Sequence, residues 1–551
     1  MVKDWTLITP QQGMAAQSDG FTVPRSERQP IYHAGGQGRR LHMWRPPASG
    51  PNVSVTREQA LIRSRTRAAA RNDPWAGAIL DKLDSNGIAT GIQAKMVNGS
   101  DALKKASKQV WNRFIKEVDA DGGLDWYGLQ LLAWHEWHEV GEVFARFRTR
   151  RPSDGLAVPF QVQLIESEQC PADLYTTASN GNPVRAGVEF NLIGKRVAYW
   201  FWKEHPGDTM FFNRGNEYVR VPAEEVIHLY RPLRAGQIRG LPDSVSVLLR
   251  MFNLDSLDDA VLERQKIANL FTLFYTRKTD PENPESLIDE MSYDEDGDQD
   301  LDDDDVPLAG LEPGTGQELP DGVEPKFSNP PAPSADLGEF YRMQLLAICA
   351  RNGVPYEVVT GDLRNISDRA LKLILNEFKR TIEMRQWLTF IPKFCQPVRT
   401  RFFDMSWMSN ALVIPDYAEQ RPEIVDTLWV PQGWPYSHPV QDVSADIKAI
   451  RAGLDTRSDV NLRNGEDPEE LDRRNAEDNE RADKLGLVYD SDGRKTSGAG
   501  LTQARPAGTE IPPTDVKKRG ADDVDDDEDD EESDSDDPDR NTDPDEDTEE
   551  D

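Results

Sequence analysis

A chain of 551 residues can bury several cores, and its length implies about three or four domains. Hydrophobic residues make up 37% and charged residues 29%, the balance of a soluble protein. The formal net charge of −34 is confined to two segments: Ala521–Asp551 holds 21 acidic residues and one Arg, and Asp280–Asp305 holds 14 and no Lys or Arg, so the rest of the chain is balanced.

Both acidic runs lack the apolar content that offsets ordering entropy and are expected to be disordered, as a solubilising tail or as an interaction tail that mimics DNA or keeps the chain off it. Cys170, Cys349 and Cys395 lie far apart with no CxxC, which argues against a disulfide framework or a cysteine zinc site and suits a reducing compartment. No apolar run reaches the roughly 18–20 residues that span a bilayer. The opening MVKDWTLITPQQG has no signal-peptide core. The expectation is a protein made and used in a cytosol-like compartment, or inside a particle assembled there.

Residues 1–55, rich in Gly, Pro, Gln and Arg, read as an extended arm. From Thr56 the pattern is helical, with Ser54 and Glu58 suggesting a cap-and-box start. A second helix is expected from Asp73 to about Asp84. A third, Asp101–Glu117, gathers Leu103, Val110, Trp111, Phe114 and Ile115 near one face. A fourth, Trp126–Glu139, is dense in Trp and Leu. The period then changes to two: PFQVQLIES, VEFNLIGKRVAYWFW and EYVRVPAEEVIHLY read as strands, with Gly194 placed for a hairpin turn.

Helix returns over Pro242–Ile267, followed by the strand-like NLFTLFYTRK, the acidic insert and the turn-rich LEPGTGQELPDGVEPKFSNPPAPS. Helices Ala335–Asn352 and Ser367–Phe390 are expected next, their link interrupted by Pro355 and Gly361. Beyond Phe403 lies a mixed, Trp-rich stretch, then charged helices over Val440–Ala452 and Asp467–Leu485. No internal repeat is present.

No phosphate loop of the GxxxxGK[ST] type, no GxSxG elbow, no HExxH and no strand–GxGxxG–helix occurs. GGQGRR at Gly35–Arg40 precedes no apolar helix. The insert YDEDGDQDLDDDD alternates carboxylates as a calcium loop does, but Gly297 is misplaced for the turn and no closing Glu follows. His135 and His138, three apart in WHEWHEVGE beside Glu136, Glu139 and Glu142, share a helix face and could hold a metal. Trp134 and Trp137 beside them favour a structural role in an aromatic core. No cofactor and no catalytic constellation is expected.

The order of motifs resembles the lambda-type family of tailed-bacteriophage portal proteins from about Arg57 to Leu487. RAAARNDPWAGAILDKL is similar to its opening helical segment, and WNRFIKE through WHEVGEVFARF to its next landmark, ending in the Gly141–Glu142 pair. QLIESEQCP and GVEFNLIGKRVAYWFW resemble its strand pair. The most specific stretch, VPAEEVIHLYRPLRAGQIRGLPDSVSVL, has Arg231, Pro232, Gly236, Gln237, Arg239, Gly240 and Pro242 in pattern. LEPGTGQELPDGVEPKFSNPPAP, LLAICARNGVPYEVVTGDL with Pro355, and the run from Trp429 to Leu471 resemble the later segments. Where the family usually has Asn-Tyr-Ser-Ser, this chain has Asn365-Ile366-Ser367-Asp368-Arg369.

The resemblance implies an α+β portal fold with a helical and β wing, a two-helix stem, a small α/β clip, a helical crown and a disordered acidic tail. Carried over, 1–55 is the arm, 56–252 the wing, 253–270 the first stem helix, and 271–334 the clip with its insert 280–305. Residues 335–353 are then the second stem helix, 354–366 the tunnel loop, 367–395 the long helix, 396–490 the remaining wing and crown, and 491–551 the tail. It implies a non-enzymatic ring of about twelve subunits at one capsid vertex, assembled in a host bacterial cytoplasm. Its partners would be double-stranded DNA, the terminase large subunit, major capsid and scaffold proteins, and a head–tail connector, with no membrane. Arg364, Asn365, Ser367 and Arg369 are the expected backbone contacts in the DNA channel, or else Arg364 and Arg369 merely pair with Asp362 and Asp368. The rival readings are a metal-dependent nuclease using His135 and His138, and another structural head or connector subunit.

Overall fold

The computed structural model describes residues 47–208, 217–269, 273–277, 323–327, 337–364, 366–436, 438–487 and 489. The acidic runs 280–305 and 521–551, Asn365 and residues 1–46 lie outside the described residues. The architecture is mixed helix and sheet, and the described residues fall into two units, one ending at Leu471 and one beginning at Asp472. Among the described residues no helix is long and apolar enough to cross a membrane. All three cysteines are free and buried.

Helix α1 (Pro51–Thr56) already occupies the end of the expected arm, because Pro51 starts it at the position where a missing N–H costs nothing. Ser54 therefore lies inside α1, its hydroxyl donating to Gly50 O, and does not cap α2 (Gln59–Asn72). The effective cap is Asp73, whose carboxylate accepts from Trp75 N and Ala76 N at the head of α3 (Pro74–Gly87). After β1 (Gln93–Met96), α4 (Asp101–Glu117) has the expected bounds, capped by Ser100. Helix α5 (Trp126–Val140) buries residues on every side, including Trp126, Gln130, Trp134 and Glu139, as a helix threaded through a core must.

Gly141 ends α5, and the chain runs at once into β2 (Glu142–Thr149), a strand not expected from the sequence. Strands β3 (Phe160–Ile165), β4 (Tyr175–Thr177), β5 (Pro183–Arg185), β6 (Val188–Phe190), β7 (Arg196–Trp202), β8 (Tyr218–Pro222) and β9 (Val226–Tyr230) follow. They form two antiparallel sheets, in the orders β3-β2-β9 and β4-β5-β6-β7-β8. Phe144 of the first sheet meets Tyr199 and Phe201 of the second edge-on, at 5.7 and 5.2 Å between ring centroids, and seeds a small core between them.

Helix α6 (Leu248–Asn269) begins later than expected, after a 3₁₀ turn over Asp243–Ser246. Strands β10 (Leu273–Arg277) and β11 (Val323–Phe327), which flank the acidic insert in sequence, pair antiparallel. Helix α7 (Leu337–Asn352) leads into a link that is not all loop, since α8 (Tyr356–Thr360) sits within it. Helix α9 (Asp368–Arg385) does not stop at Phe390. It passes through a π-helical stretch, Gln386–Cys395, into α10 (Gln396–Met408), the wider turn accommodating Pro392 without ending the helix. Helix α11 (Tyr417–Ile424), β12 (Thr427–Val430), α12 (Pro439–Arg451), α13 (Arg457–Arg463) and α14 (Pro468–Leu485) complete the chain, with β12 returning to pair with β1.

The main core is aromatic. Trp126 stacks on Phe394 at 5.6 Å, and Trp111 meets Phe402 edge-on at 4.9 Å. Arg399 is buried among Trp111, Phe403 and Phe402, at 4.3, 4.5 and 5.0 Å from their ring centroids. Burial pulls its guanidinium down to about 9, and the three ring faces stand in for a carboxylate.

Candidate functional site

The residues singled out around Gly141 and in the segment 231–242 converge on one buried carboxylate. Gly141 holds φ +95°, which turns the chain from α5 into β2 and places Glu142 beneath the loop that follows β9. Glu142 accepts from Arg239 Nη2 at 2.5 Å, Ser167 Oγ at 2.5 Å, Gly240 N at 2.7 Å and Gln59 Nε2 at 2.8 Å. Its Oε2 also lies 3.0 Å from His228 Nε2. Arg239 spends its remaining N–H groups on Cys170 O, Ala186 O and Ser167 O. The Glu142 and Arg239 side chains have no solvent exposure. Burial alone would raise the Glu142 carboxyl, but Arg239 and His228 outweigh it and hold the group well below the usual range.

The rest of the motif shapes the loop. Gln237 accepts from Leu233 N and Arg234 N and donates to Arg239 O, so one amide side chain closes the turn at Gly236. Pro242 caps the 3₁₀ turn, whose Asp243 pairs with Arg385 at 3.1 Å, Arg231 at 3.5 Å and Arg351 at 4.0 Å, tying the loop to α7 and α9. No contact of Pro232 enters this network. Gln59, Ser167 and His228 were not singled out from the sequence, and no local signal marks them, because each meets Glu142 only through the tertiary fold.

The two histidines of WHEWHEVGE are not brought together. His135 Nδ1 lies 2.6 Å from Asp84, which raises its affinity for a proton. His138 is buried against Trp134 O, and burial lowers it well below its ordinary value. Glu136 and Glu139 instead meet Arg67, each at 2.9 Å. Among the described residues one trio brings metal-ligating atoms together, Glu166, Glu168 and His205. There His205 Nδ1 accepts from Gly207 N, and its Nε2 lies 2.9 Å from Glu166 Oε2.

The expected channel residues lie elsewhere. Arg364 grips Asp362 with two bonds, Nε–Oδ1 at 2.7 Å and Nη2–Oδ2 at 2.9 Å, though its side chain is 84% exposed. That contact holds the Asp362 carboxyl well below its ordinary value. Ser367 caps α9 by accepting from Ala370 N. Arg369 is exposed and forms no ion pair with Asp368. Pro355 caps α8. Asn365 lies outside the described residues.

The buried histidines set a pH dependence. Burial takes His228 down to about 4 despite the pull of Glu142, so between pH about 6.5 and 4 the unfolded chain binds a proton that the native one refuses. Stability is therefore expected to fall through that window, by on the order of 3 kcal/mol from His228, with His138 adding in the same direction. The Glu142 contribution is lost at lower pH, as its depressed group protonates. His135 works oppositely: its contribution is full below pH about 6.5 and fades as pH rises through its raised value. Denaturant titrations across pH 7 to 4 should show this slope, shallower in His228→Gln. A flat profile contradicts the assignment.

Comparison with known proteins adds the following. Residues 37–386 match the family described as "Phage portal protein, lambda family". The "Probable portal protein" of Halomonas phage phiHAP-1 is 25% identical over 515 residues, covering 90% of this chain and 95% of its own. Among solved structures, the neck of the native gene transfer agent particle computed with C12 symmetry is 14% identical at a TM-score of 0.40, over 78% of this chain and 99% of that one. An HK97-family phage portal protein from Corynebacterium diphtheriae is 11% identical at a TM-score of 0.25, over 56% of this chain and 82% of that one.

Proposed function

Because the chain belongs to the lambda family of phage portal proteins, structural and non-enzymatic components of the phage capsid, we propose that about twelve copies close into a ring at one capsid vertex. The ring forms the channel through which double-stranded DNA is packaged and ejected. Family membership over residues 37–386 carries this reading. A feature of the helices supports it: Leu249 and Phe252 of α6 and Phe340, Met343 and Leu346 of α7 are exposed, whereas Leu345, Ile348 and Cys349 pack inward. An apolar face left open on paired helices suits burial against a neighbouring subunit.

In this reading the elements through Met251 belong to the wing, α6 and α7 to the stem, and β10 with β11 to the clip. The stretch 354–366 is the tunnel loop, and α9 continues from it. The last helices form the crown. The clip receives the terminase large subunit and later the head–tail connector, and the outer surface meets the major capsid and scaffold proteins during assembly in the host cytoplasm. The balanced charge outside the two acidic runs suits a conduit, since a surface that neutralised many phosphates would grip DNA instead of letting it slide.

Negative-stain electron microscopy with mass photometry should show rings of about a dozen subunits with a central hole. A monodisperse monomer or dimer at every salt concentration contradicts the ring. In this reading Arg364, Asn365, Ser367 and Arg369 are the proposed contacts to the DNA backbone. Since Asp362 already holds Arg364, phages carrying Arg369→Ala should lose more DNA packaging and retention than those carrying Arg364→Ala. Wild-type packaging in both removes the contact.

A further inference from the structure

One face of β2 carries a column of arginines that neither the core nor the proposed channel uses. Arg146 and Arg148 point to the same side of the strand, and Arg150 continues the series, its backbone N–H still paired to Pro159 O. Strand geometry spaces them at roughly 7 Å intervals. Across the sheet, Gln163 and Gln161 orient them: Arg148 Nε donates to Gln163 Oε1 at 2.8 Å, and Arg150 Nε to Gln161 Oε1 at 2.7 Å. Gln161 is itself locked, its amide donating to Glu117 O and Asp119 O. Arg148 and Arg150 are thus each held by Nε, whereas the Nε of Arg146 is buried without a hydrogen-bond partner among the described residues.

These cations lack the usual compensation. Among the described residues no carboxylate pairs with Arg148 or Arg150, and Arg146 reaches only Glu225, at 3.9 Å. Arg148 is pulled below its ordinary value by burial and then by the charges of Arg146 and Arg150, while the nearby Asp121 and Glu225 oppose this. Three like charges crowded on one strand face, each fork steadied by a glutamine or left bare, favour an anionic ligand from outside the described chain.

We propose that the Arg146–Arg148–Arg150 face of β2 docks an extended acidic segment of a partner polypeptide. An extended chain with a carboxylate at every second residue repeats at the same roughly 7 Å interval, so successive carboxylates can each face one fork bidentately. A duplex is the poorer fit. The column is short, and Glu225 and Asp121 lie beside it.

The test uses the purified full-length protein and a short fluorescent peptide of alternating Glu and Thr, read by anisotropy at low and moderate salt. Binding is expected, weakening with salt and falling about tenfold or more in Arg148→Gln/Arg150→Gln. Arg148→Lys/Arg150→Lys, which keeps charge and loses the fork, should lie between. Matching thermal melts exclude misfolding as the cause. No binding at low salt, unchanged affinity in the Gln variant, or tighter binding of an equally charged DNA duplex to the same arginines each overturns the proposal.

Discussion

Replacing Glu142 by alanine is expected to cost about 3–5 kcal/mol of folding stability, among the largest single effects in the chain. The cost does not come from the lost ion pair as such. Arg239 has no solvent exposure and would keep its charge in a site that no longer holds an anion. Gly240 N and Gln59 Nε2 would also lose an acceptor in the interior. Glu142→Gln keeps the volume and should recover only part of the loss, because an amide cannot accept from all of these donors. The pair Glu142→Leu/Arg239→Met should be less damaging than Glu142→Ala alone, since it removes both charges together. Urea unfolding of these three variants, with Glu142→Leu and Arg239→Met also made singly, forms the comparison. Coupling between positions 142 and 239 below about 1 kcal/mol would show that the interior tolerates either charge alone.

The sequence revealed this hub only by resemblance. Gly141, Glu142, Arg239 and Gly240 were marked as pattern residues, but the pattern does not state that the carboxylate faces the guanidinium, nor that Gln59, Ser167 and His228 complete it. Elements governed by local rules were legible: α4 has both its bounds, because Ser100 supplies the cap and Trp111 and Phe114 fall on one face. Elements governed by distant partners were not. β1 and β12 pair Gln93 with Val430, and no local signal at either strand points to the other. EVFARFRT does alternate, Val143, Ala145 and Phe147 turning to the main core, yet it follows the aromatic α5 so closely that no polar break separates the two periods. The helix expected over Ser367–Phe390 runs on, because the π-helical stretch carries the backbone past Pro392.

Alanine at Gly141 is expected to cost more than about 4 kcal/mol or to prevent soluble folding, whereas alanine at Gly236 should cost only about 1–2 kcal/mol. Both glycines have positive φ, +95° and +78°, so the penalty for left-handed backbone is common to them. They differ in what surrounds them. A Cβ on Gly141 would lie 2.1 Å from the Leu241 carbonyl carbon and 2.3 Å from Pro242 N, while none of the neighbouring atoms comes within 4 Å of one on Gly236. Backbone atoms cannot swing aside as a side-chain terminus can. Gly240 separates the two causes, because its φ is not in the left-handed region, yet its Cβ would meet Gly141 O at 2.1 Å. Gly240→Ala should therefore resemble Gly141→Ala, in soluble yield and in denaturant midpoint, and not Gly236→Ala. If all three behave alike, close approach is not what the site requires. If they separate as stated, the two bare backbones are what let the loop descend until Gly240 N reaches Glu142 at 2.7 Å, and the buried carboxylate depends on that descent.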